Sequence, residues 1–261
     1  AKPPRLPMTD RPRVDILNFN FFDWDGERLL IGGAERYVLE LARLIGALGA
    51  QPRIVQNANR YFSRVYAEVP VVGIPAATSM DLAAMSAGFR DAVSDAALVI
   101  ASPVQLAANL ATSVPVIGIN HGIHWDYPNN RIDVHDVAAD QRIVDAVLAC
   151  TACVSVDTNF INWLRCLDAE AAARARYIPN FVDLDRFRAI TKQFDLPRLE
   201  LLFPRRLCAE RGFHDLVEAF DSIAHRHPGL DLHLCGTGPP EDEAIATALI
   251  ERHAGRVRWS Q

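Results

Sequence analysis

The chain has 261 residues, half of them hydrophobic and 23 % charged, with a net charge of −5 at neutral pH. That composition is the ordinary one of a globular protein with one large domain or two of about 100–150 residues each, and the acidic balance gives no general attraction to nucleic acid. No run approaches the ~18 consecutive apolar residues of a membrane span, and no secretory signal is recognisable.

Residues 1–13 are rich in proline and carry Lys2, Arg5, Arg11 and Arg13 against Asp10. They read as a flexible N-terminal arm. A peripheral contact with anionic lipid is the alternative reading of this basic cluster. Thereafter short apolar runs alternate with amphipathic stretches. A first strand is expected over residues 15–20. A helix follows over 34–48, with Leu41, Leu44, Ile45 and Leu48 on its inner face, and Gly49 ends it. Strands are expected over 52–57 and 69–74, and a helix over 81–94 with Ser79 as its cap. The runs at 98–102, 114–120 and 152–156 are almost uninterruptedly apolar, as in parallel strands buried on both faces. Helical stretches separate them near 105–111, 138–149 and 158–166.

This repeated strand–helix rhythm predicts a doubly wound, Rossmann-like α/β domain over residues 14–176. Residues 177–195 break the rhythm with Pro179 and Asn180 and read as an interdomain linker. The pattern restarts with strands at 199–203, 230–235 and 256–259 and helices at 213–225 and 241–253. Residues 196–261 are therefore expected to form a partial second Rossmann-like domain of about two and a half repeats, a small unit for independent stability.

Five cysteines, an odd number without a dense framework, fit a reducing compartment. Cys150 and Cys153 have the spacing of a metal knuckle or redox pair, but no partner pair exists. Cys153 opens an apolar run, so both are expected in the core.

In open α/β sheets ligands bind beyond the carboxyl ends of the strands, and candidate chemistry is sought there. Gly32 and Gly33 follow the first strand and open a helix. They offer close backbone approach and free amides suited to phosphate or sugar oxygens. A G-x-G-x-x-G pattern directly after the strand is absent, which disfavours a dinucleotide. His121 closes the strand at 114–120, where it could hydrogen-bond a sugar hydroxyl; His124, Trp125, Asp126 and Tyr127 follow at once. Arg205, Arg206 and Arg211 surround one strand end and one helix start. Cations are unfavourable at a helix N-terminus and repel one another, and a bound diphosphate relieves both costs. Pairing of one arginine with Glu210 on a solvated surface is the plainer reading. Gly236 and Gly238 form a tight turn before Pro239 and Pro240, with Glu241, Asp242 and Glu243 crowding the next helical turn. This suits backbone contact with a neutral ligand group, or a plain turn. Asp157 reads as a helix cap. Asp23/Asp25 and Asp183/Asp185 have D-x-D spacing, but neither context fits a metal site. Asp23 is better read as part of an acceptor-facing loop, together with Trp125 and Asp126.

Taken in order, these segments resemble the retaining glycosyltransferases of family 4, which have the two-domain GT-B fold. The likeness spans nearly the whole chain. Gly32-Gly33-Ala34-Glu35 is similar to the family's G-G-x-E loop, and His121-Gly122 to its central histidine. Ile178-Pro179-Asn180-Phe181-Val182-Asp183 with Phe187 resembles I-P-N-G-V-D…F, and Arg206-Leu207…Glu210-Arg211-Gly212 resembles G-R-L-x-x-x-K-G. Gly236-Thr237-Gly238-Pro239 resembles G-x-G-P. The departures are Phe181 and Arg205 in place of glycines and Arg211 in place of a lysine. The family's paired glutamates, E-x7-E, do not occur before Gln261, so the resemblance implies a chain cut before its donor site is complete.

The resemblance implies transfer of a sugar from a UDP-, GDP- or other nucleotide-sugar to a sugar or lipid-linked acceptor hydroxyl, with retention of configuration, in polysaccharide or glycoconjugate synthesis. Arg206 and Arg211 would hold the donor diphosphate and His121 would act at the transferred sugar. The backbone of Gly32, Gly33, Gly236 and Gly238 would line the donor or acceptor cleft. No cofactor and no metal are implied, and the expected location is cytoplasmic, at the inner face of the membrane. Two alternatives stay open: a non-catalytic GT-B binding or scaffold subunit, and a nucleotide-sugar 2-epimerase, for which no carboxylate acid–base pair is identifiable.

Overall fold

The computed structural model describes residues 11–30, 32–76, 82–122, 137–185, 187–189 and 198–260. The chain divides into two compact units, with the boundary between Val182 and Asp183. Each is α/β.

The first unit is built on an eight-stranded sheet. Its strands are β1 (Arg13–Leu17), β2 (Gln51–Ala58), β3 (Phe62–Tyr66), β4 (Val69–Pro75), β5 (Leu98–Ala101), β6 (Val116–Asn120), β7 (Ala152–Ser155) and β8 (Ala175–Tyr177). They lie in the order β3-β4-β2-β1-β5-β6-β7-β8. Every neighbouring pair is parallel except β3 with β4. Helices α1 (Gly33–Ala47), α2 (Leu82–Val93), α3 (Val137–Ala149), α4 (Thr158–Leu167) and α5 (Ala169–Arg174) make the connections. The order runs outward from β1 in one direction and then from β5 in the other, so the topological switch lies between β1 and β5.

The apolar runs explain this sheet. Successive strand residues point to opposite faces. Ile16, Ile54 and Ile100 accordingly join one core cluster with Val38, Leu39, Ala42 and Ile45 of α1. Their neighbours Leu17, Val55 and Val99 join a second cluster with Phe89, Val147 and Phe160. Cys150 and Cys153 belong to that second core as free thiols. Burial disfavours the thiolate and pushes both thiols up to about 12. A salt bridge is built into the sheet. Asp15 is fully buried and accepts from Arg53 at 2.7 and 2.8 Å and from Arg13 at 3.1 Å, which offsets its desolvation.

Several expectations need correction. In α1 the inward stripe is Val38, Leu39, Ala42 and Ile45, whereas Leu44 and Leu48 are exposed. Of the expected face, Ile45 is buried and Leu41 packs partly buried against the same core. The first strand lies two to three residues earlier than expected, at Arg13–Leu17. The stretch near 105–111 forms only a 3-10 turn, Val104–Ala107: the chain leaves it at Ala108 with ψ of 130°, and positive φ at Asn109 and Ala111 keeps the helix from resuming. Strand β3 gave no signal in the sequence. Its Ser63, Arg64 and Val65 are exposed, and its hairpin turn uses Ala67 and Glu68 at positive φ, where Asn-Gly is the usual mark. The expected cap Ser79 lies outside the described residues.

The second unit contains β9 (Leu199–Phe203), β10 (Leu230–Cys235) and β11 (Val257–Ser260), all parallel, in the order β11-β10-β9. Helices α6 (Phe213–Ala224) and α7 (Pro240–Arg252) supply Phe213, Val217, Phe220, Ala246 and Leu249 to a core with Leu232, Leu234 and Val257.

Candidate functional site

In the first unit the carboxyl ends of β1, β5 and β6 bring together residues far apart in sequence. Ser102 directly follows β5 and is fully buried. His121 directly follows β6. The Ser102 hydroxyl lies 2.7 Å from Nε2 of His121. Burial lowers the His121 pKa and favours the neutral ring. Tyr37, one turn into α1, meets the imidazole edge-on with ring centroids 5.0 Å apart, and the Phe181 ring is tilted against Tyr37 at 5.4 Å. Phe181, a departure from the resembled pattern, thus joins a run of ring contacts that reaches the histidine. Asn120 Nδ2 donates to the Gly122 carbonyl at 2.8 Å. Gly122 has φ of +139°, a conformation that favours glycine.

Helix α1 reaches these ring contacts from its N-terminus. The Glu35 carboxylate accepts from the Gly32 N–H at 2.8 Å, so the glutamate of the G-G-x-E segment caps its own helix. A Cβ at Gly33 would meet nothing within 4 Å. The packing of the chain therefore does not require glycine there. The missing side chain leaves clear space beside first-turn amides that have no intrahelical partner.

The loop from β1 to α1 is positioned by Gln56, which sequence reading passed over. This fully buried side chain in β2 accepts from the Phe21 and Phe22 N–H groups at 2.8 and 2.7 Å. It also donates to the carbonyls of Phe22 and Asn57 at 3.0 and 3.2 Å. Asp23 holds a tight turn within this loop: its carboxylate accepts from the Glu27 N–H at 2.8 Å. Bonds from the backbone of Glu27 and Arg28 lower its pKa. Asp25 accepts from the Asn59 side chain. Trp125 and Asp126, together with His124 and Tyr127, lie outside the described residues.

In the second unit, the turn after β9 carries Arg205 and Arg206, and Arg211 ends the 3-10 turn Ala209–Arg211 before α6. Arg205 and Arg206 are exposed, and neither makes a hydrogen bond or an ion pair among the described residues. Glu210 is held below its ordinary range by its own backbone N–H and by the Cys208 thiol, with Arg206 and Arg211 adding their charge. Glu210 thus lies in the field of both cations.

Gly236 and Gly238 have a steric explanation. A Cβ at Gly236 would lie 2.6 Å from the Arg205 carbonyl oxygen, and one at Gly238 would lie 2.2 Å from that of Leu207. The two turns are joined backbone to backbone, with Leu207 N–H donating to the Thr237 carbonyl at 3.0 Å. The Gly236 amide donates to Ser260 and the Gly238 amide to Glu243. These glycines hold the turn that carries Arg205 and Arg206.

A cavity of about 480 Å³ opens between α4 and β8, lined by Thr158, Ile161, Asn162, Arg165 and Tyr177 among others. It includes none of the residues singled out from the sequence. Among the described residues no helix is long and apolar enough to cross a membrane.

No family profile and no curated protein matches the sequence. Solved structures do match in fold. HepE from Anabaena, in complex with UDP and glucose, has a TM-score of 0.66 at 15 % identity, covering 95 % of this chain and 69 % of its own. TarM from S. aureus, in complex with fondaparinux, alpha-GlcNAc-glycerol and UDP, has a TM-score of 0.65 at 10 % identity, covering 95 % and 77 %. A putative UDP-N-acetylglucosamine 2-epimerase from Listeria monocytogenes has a TM-score of 0.59 at 11 % identity, covering 97 % and 70 %. At these identities the likeness establishes the fold alone, a Rossmann-like α/β fold.

Proposed function

We propose that this chain binds a nucleotide-sugar through its second unit and transfers the sugar to an acceptor hydroxyl, as a GT-B glycosyltransferase. The observation that carries the reading is the turn after β9, where the guanidinium groups of Arg205 and Arg206, which make no hydrogen bond or ion pair among the described residues, are held by a glycine turn packed against their backbone. Cations gathered at one strand end suit a diphosphate, which a guanidinium can grip with parallel N–H···O bonds. In this reading Arg206 and Arg211 stabilise the negative charge that develops on the departing diphosphate. His121 contacts the transferred sugar, and the first-turn amides beside Gly33 approach ligand oxygens. Gly236 and Gly238 act indirectly, by holding the arginine turn. HepE and TarM, which share the fold, were both obtained with UDP.

The finer reading extends this to transfer with retention of anomeric configuration, with no metal or cofactor, onto a sugar or lipid-linked acceptor for polysaccharide or glycoconjugate synthesis on the cytoplasmic side of a membrane. A second reading, nucleotide-sugar 2-epimerisation, has one point in its favour, the fold shared with the putative epimerase. Both readings use the same diphosphate site. Calorimetric titration of the chain with UDP, GDP and their sugars, followed by product analysis, separates them. Transfer to an acceptor supports the first and inversion at C2 of the free donor supports the second. Binding without either leaves the non-catalytic subunit. Arg206→Ala should weaken UDP binding about 10- to 100-fold, the worth of the charge-assisted bonds it removes, with the unfolding midpoint unchanged. Unaltered affinity would refute the diphosphate assignment.

A further inference from the structure

We infer that Ser102 is a positioning residue that donates its hydroxyl proton to Nε2 of His121, fixes the ring proton on Nδ1, and so makes His121 a hydrogen-bond donor to a ligand oxygen and not a base. The ligand half of this inference rests on the sugar-binding reading above, whereas the tautomer half stands on geometry alone.

The argument is one of hydrogen-bond accounting. The Ser102 side chain is fully buried, so water cannot take its proton. A serine hydroxyl carries one donor and two acceptor sites. Among the described residues its hydrogen-bond partner is Nε2 of His121, at 2.7 Å. The Ser102 backbone N–H is already committed to the Leu17 carbonyl at 2.9 Å. Were Nε2 protonated, two donors would face each other across that distance unless the hydroxyl turned away, and a hydroxyl that turned away would leave its proton without an acceptor. A buried donor without an acceptor is the costlier arrangement. The state that satisfies both groups has the hydroxyl donating and Nε2 accepting.

A neutral imidazole carries one ring proton, so that proton resides on Nδ1. The imidazolium would also protonate Nε2, but burial disfavours it and moves the His121 pKa down. The edge-on Tyr37 ring, 5.0 Å away, limits rotation of the imidazole. Nδ1 has no protein partner among the described residues, and His121 is not fully enclosed. The group offered at the end of β6 is therefore an N–H. It can donate to a sugar oxygen, but it cannot remove the proton of an acceptor hydroxyl.

The test is a two-bond proton–nitrogen correlation spectrum of the histidine-labelled chain at pH 7.5, with the His121 signals assigned by their loss in His121→Gln. The expected spectrum places the protonated nitrogen at Nδ1. In Ser102→Ala the ring should revert to the Nε2–H form preferred by the free side chain, and Ser102→Thr, which keeps the hydroxyl, should retain Nδ1–H. An Nε2–H ring in the wild type overturns the inference, and so does an Nδ1–H ring that persists in Ser102→Ala. If Ser102→Ala does not fold, the wild-type spectrum decides by itself. Saturating UDP-glucose forms a separate arm. A shift of the Nδ1 resonance supports the ligand contact, and bound UDP-glucose with no shift overturns that half. Failure of UDP-glucose to bind counts against the sugar reading and leaves the role of Ser102 standing.

Discussion

Replacing Gln56 by leucine tests how the loop that leads to Gly32 is held. The substitution keeps the volume of the side chain and removes its polar atoms. Three backbone groups of the loop then lose this partner, the N–H groups of Phe21 and Phe22 and the carbonyl of Phe22, as does the Asn57 carbonyl within β2 itself. Each buried group left unsatisfied costs about 1–3 kcal/mol. The loop can escape that cost by detaching, but detachment exposes Phe21 and Phe22, now 0 % and 9 % accessible. Exposing two such rings costs roughly 2–3 kcal/mol each. The smaller of the two penalties governs, so Gln56→Leu should lose about 3–5 kcal/mol of stability, a large share of the ~5–15 kcal/mol typical of a domain. Urea denaturation measures the loss, and amide exchange should show the Phe21 and Phe22 N–H groups losing protection first. A loss under about 1 kcal/mol with both amides still protected would refute the assignment of Gln56 as the loop's anchor.

The remaining predictions use other parts of the molecule. Gly238→Ala forces a Cβ to within 2.2 Å of the Leu207 carbonyl oxygen, so it should destabilise the second unit by about 1–3 kcal/mol and weaken UDP binding together; wild-type values in both assays would show that the two turns can separate freely. For His121 the folded pKa lies below 6.5, so folding favours the neutral ring. Its contribution is complete above that value and declines as pH falls toward the folded pKa, since the unfolded state then binds more protons. Wild-type stability should fall more steeply below pH 6.5 than that of His121→Gln, as read from denaturation curves at several pH values; parallel curves would contradict the burial argument. Finally, Cys150 and Cys153, with thiols pushed up to about 12, should resist a thiol reagent at pH 8 in the folded chain while the exposed Cys166 reacts. Rapid labelling of either buried cysteine would contradict its place in the core.

The α/β class, the parallel sheet and the positions of most strands are legible in the order of the amino acids. The reason is that a strand buried on both faces needs an unbroken apolar run, and such runs at β5, β6 and β7 are legible in one dimension. Candidate residues for chemistry could also be named, because such sheets bind ligands beyond their strand ends, and His121 and Arg205–Arg206 stand just past two of them. The antiparallel strand β3 could not be read, since an exposed edge needs no apolar run and its turn lacks glycine and asparagine. Nor could the partners of the site. Ser102, Tyr37 and Gln56 are ordinary residues in sequence, and they acquire meaning only when the β1–β5 switch brings strand ends together. The same holds for Gly236 and Gly238, which read as ligand-approach glycines. Only the tertiary structure shows that the closest approach is between two segments of the protein's own backbone, a contact set by the spacing of adjacent strands and invisible to any local pattern.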